Sequence, residues 1–445
     1  MNTPIADFVR RYAASGTARL HMPGHKGRAF LGCEPFDITE IAGADSLYEA
    51  SGVIAQSEAN ASLLFGSART LYATEGSSQC IRAMLHLCLC NRKPGTKPVI
   101  VAARNVHKAF VFACALLDFE IVWLWPQSMS SLCACEVSLE ALESTLASLD
   151  APPAAVYITS PDYLGGMADV AQLADICHAH GTLLAVDNAH GAYLRFLSPS
   201  LHPMDLGADI CCDSAHKTLG VLTGGAYLHI GRNAPAAMAA QTRQAMALFG
   251  STSPSYLTLM SLDLCNARLA HDYPARLENM VSRIALLRLR LAENGWHVLN
   301  GDPLKLTLDA RAAGTTGTAL AQRLRDHGIE CEFADPETLV LMLTPENQPQ
   351  DLARLEAALG KSEAAAQAWP ALSAAKGARA MSVREAMFAP HETIPAENAL
   401  GRICGAPTVA CPPAIPVAVS GEIITKEALE LFMHYGVDEV DVVKE

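Results

Sequence analysis

The fold class is indicated by residues 154–187, which read AAVYITSPDYLGGMADVAQLADICHAHGTLLAVD. Residues 154–159 form a short apolar run with β-branched and aromatic side chains, which is typical of a buried strand. Residues 170–180 have apolar side chains at helical spacing and stop before Gly181, and residues 183–187 form a second apolar run. A strand, a helix and a strand at these spacings predict a βαβ unit in a mostly parallel sheet.

The same alternation continues on both sides of this unit. Apolar runs at 99–103 and 120–125 enclose a helical pattern at 107–117, and further strand patterns follow at 209–212 and 226–230. The sequence therefore predicts an α/β protein. In such sheets ligands bind at the carboxyl ends of the strands, so polar residues at those ends are the candidates for a functional site.

The pattern changes after about residue 260, where a smaller α/β unit is expected. A long helical pattern precedes shorter ones, among them a helix at 318–327 and a strand at 329–333. The predicted organisation is an N-terminal segment over 1–60, a large domain over 61–275 and a C-terminal domain over 276–445, which comprises a small α/β unit (276–360), an Ala-rich helix or linker (361–380) and a Pro- and Gly-rich segment (381–445).

Composition and charge narrow the class of protein. The chain has 445 residues, 50% of them hydrophobic and 18% charged, so it can bury a large core. Lys and Arg number 33 against 46 Asp and Glu, so the chain is acidic. Sequence-independent nucleic-acid binding is therefore disfavoured, because it needs a basic surface. The sequence lacks a run of about 20 apolar residues, which a membrane-spanning helix requires. We therefore expect a soluble protein with neither a nucleic-acid nor a membrane partner.

The cysteines and the first residues indicate the compartment. Fourteen cysteines are scattered through predicted core segments, such as 85–90 and 210–212, without the spacing of a metal-ligand framework. The first residues lack the uninterrupted apolar stretch of a secretory signal. Free cysteines without such a signal favour the reducing cytoplasm over a disulfide-bonded secreted protein, and we expect no metal site.

A lysine close to the end of a predicted strand is a candidate catalytic residue. The segment Asp213-Ser214-Ala215-His216-Lys217 directly follows the predicted strand at 209–212. A lysine amine that loses its proton can form a Schiff base with an aldehyde. Ser214 and His216 can donate hydrogen bonds to a phosphate. A lysine alone is more often a surface charge, so the other segments along the sheet edge decide the interpretation.

Polar residues in three other segments complete the pattern. Asp187 ends a predicted strand, where its carboxylate can keep the ring nitrogen of pyridoxal phosphate protonated, so that the ring acts as an electron sink. Gly76, Ser77 and Ser78 open a helical pattern and offer amides and hydroxyls to a phosphate. His107 follows another predicted strand and can stack on a ring. Each feature alone has a simpler explanation as a helix cap, a turn or a core histidine, but together they predict a pyridoxal-phosphate site.

This order of motifs resembles the fold type I pyridoxal-phosphate enzymes and, among them, the short form of the Orn/Lys/Arg decarboxylase family. The segments that carry the resemblance are LHMPGHKG (20–27), DITE (37–40), RNVHK (104–108), TSPDYLG (159–165), DNAHG (187–191), SAHKTL (214–219), TSPSY (252–256), PPAIP (412–416) and GE (421–422). They span nearly the whole chain. The resemblance implies an aspartate-aminotransferase-like fold, with a mostly parallel sheet, helices on both faces and a smaller C-terminal domain.

The resemblance also implies roles for the site residues. Lys217 would hold the cofactor aldehyde as a Schiff base, Asp187 would pair with the ring nitrogen, and His107 would stack on the ring. His190 would lie near the phenolate or the reacting carbon of the cofactor. The phosphate would be held by Gly76, Ser77, Ser78, Ser214 and His216, and by Ser251 and Thr252 reaching across a subunit interface.

The implied activity is decarboxylation of arginine, lysine or ornithine to a polyamine-type amine and CO2. The enzyme would be a cytoplasmic homodimer or larger homo-oligomer, and residues 1–60 would contribute to its active site. The distal cation of the substrate would face an acidic group, for which Asp45, Glu49 and Glu422 are candidates.

Two other interpretations stay open. The chain departs from the family pattern at residues 43–52, at Glu75 and at Asn188, where Glu is common, and these differences concern the substrate more than the cofactor. An aminotransferase or lyase of the same fold would hold the substrate carboxylate with a C-terminal arginine, and Arg384 and Arg402 are present. A non-catalytic protein on this scaffold is disfavoured, because the lysine and the strand-end aspartate are both present.

Overall fold

The structure is a computed structural model that describes residues 1–28, 30–127, 129, 131–134, 136–362, 372–408 and 415–445. Residues 363–371 of the predicted Ala-rich helix or linker lie outside the described residues, as do Cys135 and residues 412–414 of the proline-rich motif. The described remainder of the Ala-rich stretch, residues 361–362 and 372–380, contains no helix.

Helices and strands alternate along much of the described chain. The helices are α1 (Pro4–Ala14), α2 (Val53–Phe65), α3 (Ser77–Cys90), α4 (Lys108–Leu117), α5 (Leu139–Ser148), α6 (Val170–Ala179), α7 (Ala215–Thr218), α8 (Ala236–Phe249), α9 (Tyr256–Leu269), α10 (Tyr273–Glu293), α11 (Gly317–Asp326), α12 (Pro349–Leu359), α13 (Val383–Phe388) and α14 (Lys426–Tyr435). The strands are β1 (Arg69–Ala73), β2 (Val99–Ala103), β3 (Glu120–Leu124), β4 (Ala155–Thr159), β5 (Leu183–Asp187), β6 (Ile210–Asp213), β7 (Ala226–Ile230), β8 (Lys305–Asp309), β9 (Phe333–Ala334), β10 (Thr338–Met342), β11 (His391–Pro395) and β12 (Glu439–Val443). Among these helices, none combines the length and the apolar character needed to cross a bilayer.

Strands β1 to β7 form one sheet in the order β1-β7-β6-β5-β4-β2-β3. β2 pairs in parallel with β3, and β5 pairs in parallel with β6. β7 is antiparallel to both β1 and β6. The strands of a parallel sheet are covered on both faces, which is why β5 and β6 read as continuous apolar runs. The predicted mostly parallel sheet is confirmed.

Contacts divide the chain into two compact units. The first comprises Met1–Thr96, Ala154–Tyr157 and Asp169–Leu277, and the second comprises Lys97–Pro153, Ile158–Ala168 and Glu278–Glu445. The linear domain boundaries at residues 60 and 275 stay a prediction.

In the first unit, helix α3 packs against β5, β6 and β7 and along α8. Its side chains Met84, Leu87 and Cys88 are fully buried, and burial of a large apolar side chain contributes about 1.5–3 kcal/mol. Helix α6 begins after Asp169, whose carboxylate accepts a hydrogen bond from the N–H of Gln172 (3.0 Å) and so satisfies the start of the helix. This packing holds α3 and the sheet as a rigid support for the residues at the strand ends.

The second unit contains two small antiparallel sheets, β8-β10-β9 and β11-β12. The strand predicted at 329–333 is wrong over most of its length, because β9 begins only at Phe333. The N–H of Ile329 instead donates to the carbonyl of Leu324 (2.9 Å) and closes the end of α11. This is a common way to end a helix, and it keeps Ile329 out of a strand ladder.

Candidate active site

The carboxyl ends of β5 and β6 bring two of the predicted segments together. Just past the strands, the N–H of Asn188 donates to the carbonyl of Cys212 (3.0 Å), and the N–H of Ser214 donates to the carbonyl of Ala189 (3.3 Å). Ligands of α/β sheets bind at the carboxyl ends of the parallel strands. The residues that follow β5 and β6 therefore form the edge of a candidate site.

Lys217 and His190 meet at this edge. Lys217 lies in the single turn of α7, and its Nζ is 2.8 Å from Nε2 of the His190 imidazole. His190 is 3% exposed, whereas Lys217 is half-buried. An amine in hydrogen-bond contact with an imidazole can exchange a proton with it, which a nucleophilic lysine requires.

Asp187 is a buried carboxylate with an exposed fraction of 1%. It accepts hydrogen bonds from the hydroxyl of Tyr157 (3.1 Å), the N–H of Ala189 (3.2 Å) and the thiol of Cys212 (3.6 Å). These three donors are neutral, and a buried charge is costly unless it is paired, so this carboxylate suits a bound cation. The sequence did not single out Tyr157, because a tyrosine in an apolar strand usually packs in the core.

A turn of glycine and serine opens α3. The N–H of Gly76 donates to the carbonyl of Gly224 (2.7 Å), and Ser77 and Ser78 form the first turn of the helix. The hydroxyl of Ser214 donates to the hydroxyl of Ser77 (2.8 Å), so polar groups from α3 and from the end of β6 converge. The first N–H groups of a helix lack partners within the helix and carry a partial positive charge, which favours an anion.

His216 is oriented by the glycine pair that follows α7. Its main-chain N–H (3.1 Å) and its Nδ1 (3.0 Å) both donate to the carbonyl of Gly225. Burial lowers the pKa of His216, the hydrogen bond to Gly225 opposes this shift, and the charge of Lys217 lowers the pKa further, which favours a neutral ring. Only glycine fits at 224, because φ is +93° and a Cβ would lie 2.6 Å from the carbonyl oxygen of Thr74.

The chain also matches known proteins. Residues 3–307 match the family model described as Orn/Lys/Arg decarboxylase, major domain. This chain belongs to the Orn/Lys/Arg decarboxylase family. The family predicted from the motifs is thereby confirmed, and as a member of it the protein is an amino-acid decarboxylase.

Two known proteins match this decarboxylase over nearly the whole chain, and a third has a similar fold over a shorter part of it. The arginine decarboxylase of Bacillus subtilis is 29% identical over 96% of this chain and 92% of its own length. The crystal structure of the Francisella novicida lysine decarboxylase has a TM-score of 0.80 at 16% identity and covers 99% of this chain and 81% of that one. A serine palmitoyltransferase of Sphingomonas wittichii has a TM-score of 0.55 at 17% identity and covers 71% of this chain and 80% of its own. The predicted fold type I α/β class is confirmed.

Two predicted site residues of the decarboxylase belong to the second unit. His107 is the N-cap of α4, where its Nδ1 accepts a hydrogen bond from the N–H of Ala109 (3.1 Å). Glu422 is 7% exposed and accepts two hydrogen bonds from the guanidinium of Arg104, each of 2.7 Å. The charge of Glu422, a candidate for the distal cation of the substrate, is thus neutralised by Arg104 within this unit.

The two other acidic candidates differ in their contacts. Asp45 accepts hydrogen bonds from the N–H groups of Ser51 (3.0 Å), Gly52 (2.7 Å) and Ile54 (3.1 Å) at the start of α2. Burial raises the pKa of Asp45, but the hydrogen bonds from these main-chain groups lower it more, so the carboxyl group stays charged. The carboxylate of Asp45 therefore satisfies main-chain N–H groups at the start of α2, whereas Glu49 is exposed.

Ser251 and Thr252 follow α8 in the first unit. The N–H of Ser251 donates to the carboxylate of Glu75, and Thr252 lines a cavity together with Met22 and Pro23. Glu75, where the chain departs from the family pattern, thus anchors the segment that the resemblance assigns to a subunit interface.

Proposed function

We propose that this decarboxylase uses pyridoxal 5′-phosphate to remove the α-carboxylate of a basic amino acid as CO2, leaving a polyamine-type amine. The observation that carries the proposal is the 2.8 Å contact between Nζ of Lys217 and Nε2 of His190, on the sheet edge that also bears the buried Asp187. Family membership supports the decarboxylation, and the contacts at this edge support the cofactor.

The residues of the first unit fit this cofactor. The amine of Lys217 can bind an aldehyde, and the buried Asp187, with neutral hydrogen-bond donors, suits a protonated ring nitrogen. The hydroxyls of Ser77 and Ser214, 2.8 Å apart at the start of α3, suit a phosphate. When bound, pyridoxal phosphate supplies an electron sink for the bond that breaks at the α-carbon.

The protein's own groups then move the proton. A proton must replace the departing carboxylate at the α-carbon, and Nζ of Lys217 and Nε2 of His190 can each carry it. Because the two nitrogens are in hydrogen-bond contact, a proton lost from one can be replaced from the other. His190 is almost fully buried, which limits exchange of this proton with bulk water.

Arginine is the first candidate substrate. The Bacillus subtilis relative that spans nearly the whole chain is named arginine decarboxylase, and lysine and ornithine are the alternatives. The net charge of −13 favours the approach of a cationic amino acid.

We also infer that the working form is a homodimer or a larger homo-oligomer. Large apolar side chains of the N-terminal segment are exposed, namely Leu20 (96%), Met22 (63%), Phe30 (79%) and Leu31 (78%). Burial of each contributes about 1.5–3 kcal/mol, which favours a second subunit over them. Light scattering should give a multiple of 47.3 kDa, and Leu31→Asp should shift it toward the single-chain mass. A single-chain mass for the unaltered protein would contradict the oligomer.

The decisive experiment is a product screen. Purified protein with added pyridoxal phosphate is incubated with arginine, lysine or ornithine, and CO2 and the amine are quantified. Lys217→Ala should lose both turnover and the visible absorbance of bound cofactor, whereas Lys426→Ala, at an exposed lysine of α14, should keep both. Keto-acid formation without CO2 would indicate an aminotransferase instead.

A further inference from the structure

A chain of buried polar side chains crosses four neighbouring strands of the first unit. Oγ1 of Thr70 on β1 lies 2.8 Å from Nδ1 of His229 on β7, and Nε2 of His229 lies 3.1 Å from Oδ2 of Asp213 at the end of β6. Nδ2 of Asn188, directly after β5, donates to Oδ1 of Asp213 (2.7 Å). All four residues are 0% exposed, so these contacts are shielded from solvent.

Asp213 is the centre of this chain. A second imidazole, that of His202, places its Nε2 3.0 Å from Oδ2 of Asp213. Burial raises the pKa of Asp213, but the imidazoles of His202 and His229 lower it more and hold it well below its usual range. The carboxylate is therefore charged, and hydrogen bonds to a buried charge are strong and directional.

Asn188 is the residue that this carboxylate anchors. A Cβ at position 191 would lie 2.0 Å from Oδ1 of Asn188, so Gly191 leaves the room in which the amide lies. Asn188 directly follows Asp187 and precedes His190 by two residues. Fixing the Asn188 side chain therefore limits the positions that both site residues can take.

We infer that Asp213 is a positioning residue that acts through Asn188. Asp213 begins the segment that carries Lys217, and Asn188 continues the segment that carries Asp187. Their hydrogen bond therefore connects two segments. One carries Lys217, which would bind the cofactor aldehyde, and the other carries Asp187, which would face the ring nitrogen. The consequence for the cofactor rests on the proposed function.

A metal site is the competing interpretation of this cluster. The ligand atoms of His202, Cys211 and Asp213 lie within 4.8 Å of one another, and all three residues are buried. The contacts favour hydrogen bonding, because both oxygens of Asp213 already have nitrogen partners. Burial also raises the pKa of the Cys211 thiol well above its usual value, whereas a metal ligand must be a thiolate.

Exchanging the carboxylate and the amide between positions 213 and 188 tests the inference. In Asp213→Asn the side chain has a single oxygen, which can accept from the imidazoles or from Asn188 but not from both. In Asn188→Asp two carboxylates come into contact. Each single variant should raise the dissociation constant of pyridoxal phosphate about tenfold or more and shift the pH titration of the bound cofactor's visible absorbance. The double variant restores a donor facing an acceptor and should bind within about threefold of the wild type.

Two further comparisons separate positioning from general stability. Asp263→Asn is the matched control, because Asp263 is a buried aspartate of the same unit that accepts hydrogen bonds from Ser57 and from the N–H of Ala6. It should leave the dissociation constant unchanged. His202→Ala removes one partner of Asp213 and should weaken cofactor binding severalfold, and His202→Gln, which keeps an N–H donor, should restore it. These two His202 variants test the inference even if Asp213→Asn does not fold.

The outcomes distinguish the inference from the proposed function. Wild-type protein that binds no pyridoxal phosphate would contradict the proposed function, whatever the variants do. If the wild type binds it, the inference is overturned when the single variants lower only the melting temperature, or when the double variant binds no better than the singles. A stoichiometric metal in the wild type that is lost in Asp213→Asn would also overturn it.

Discussion

Two buried carboxylates of this decarboxylase are held in opposite ways. In the first unit, Asp187 accepts hydrogen bonds from a hydroxyl, a thiol and a main-chain N–H, all neutral. In the second unit, Glu422 accepts two hydrogen bonds from Arg104, whose guanidinium lies 4.6 Å and 4.5 Å from the ring centroids of Trp123 and Trp125. A carboxylate paired with a cation of the protein contributes to the fold, whereas one with only neutral donors is available to a bound cation.

Replacing Asp187 by Asn should have the largest effect on activity. The amide keeps the size of the side chain but carries no charge, so kcat for CO2 release should fall about a hundredfold or more. The melting temperature should stay the same or rise, because a buried charge is removed. Steady-state kinetics and thermal unfolding measure the two quantities.

Tyr157→Phe is the matched control for Asp187→Asn. It removes one neutral donor and leaves the carboxylate, so its loss in kcat should be clearly smaller. If Asp187→Asn kept kcat within threefold of the wild type, the distinction between the two carboxylates would fail.

Replacing Arg104 by Met should mainly reduce stability. Glu422 is then left buried without its cation, which costs about 3–5 kcal/mol of unfolding free energy. The double variant Arg104→Met with Glu422→Gln removes the stranded charge and should recover most of that loss. Denaturant unfolding of the wild type, the two single variants and the double variant measures the coupling free energy between Arg104 and Glu422. Additive losses would show that the pair does not stabilise the fold.

A third buried carboxylate, Asp162 of the second unit, provides a pH test with the smallest expected effect. Burial raises its pKa to about 6, while the charge of Lys305, whose Nζ donates to the main-chain carbonyl of Asp162 (2.6 Å), opposes the shift. The folded pKa lies above the unfolded one. The stability that this group contributes is therefore present below the unfolded pKa, near 4, and is lost as the pH rises through about 6.

Asp162→Asn stays neutral at every pH and should therefore stabilise the protein at pH 8, by about 1–2 kcal/mol, but not at pH 4. Denaturant midpoints at the two pH values measure the difference. An equal effect at both would show that Asp162 ionises in the folded state as it does in the unfolded chain.

The sequence allowed the fold, the family and the candidate edge to be predicted. Lys217 and Asp187 were candidates because each comes at or soon after the end of an apolar run, and parallel strands end at one edge of a sheet. The roles assigned to them and to His107 stay predictions. Tyr157 was missed, because nothing in the local pattern shows that its hydroxyl contacts a carboxylate thirty residues along the chain.

The sequence by itself determined the succession of strands and helices, the motifs and hence the family, because periodicity and motif spacing are properties of neighbouring residues. Only the tertiary structure decided which charged side chains already have partners within the protein. Glu422 pairs with Arg104 across 318 positions, and Asp213 collects His202, His229 and Asn188 from three other segments. Such pairings depend on which distant side chains packing brings within hydrogen-bond distance while water is excluded, and no short stretch of sequence contains that information.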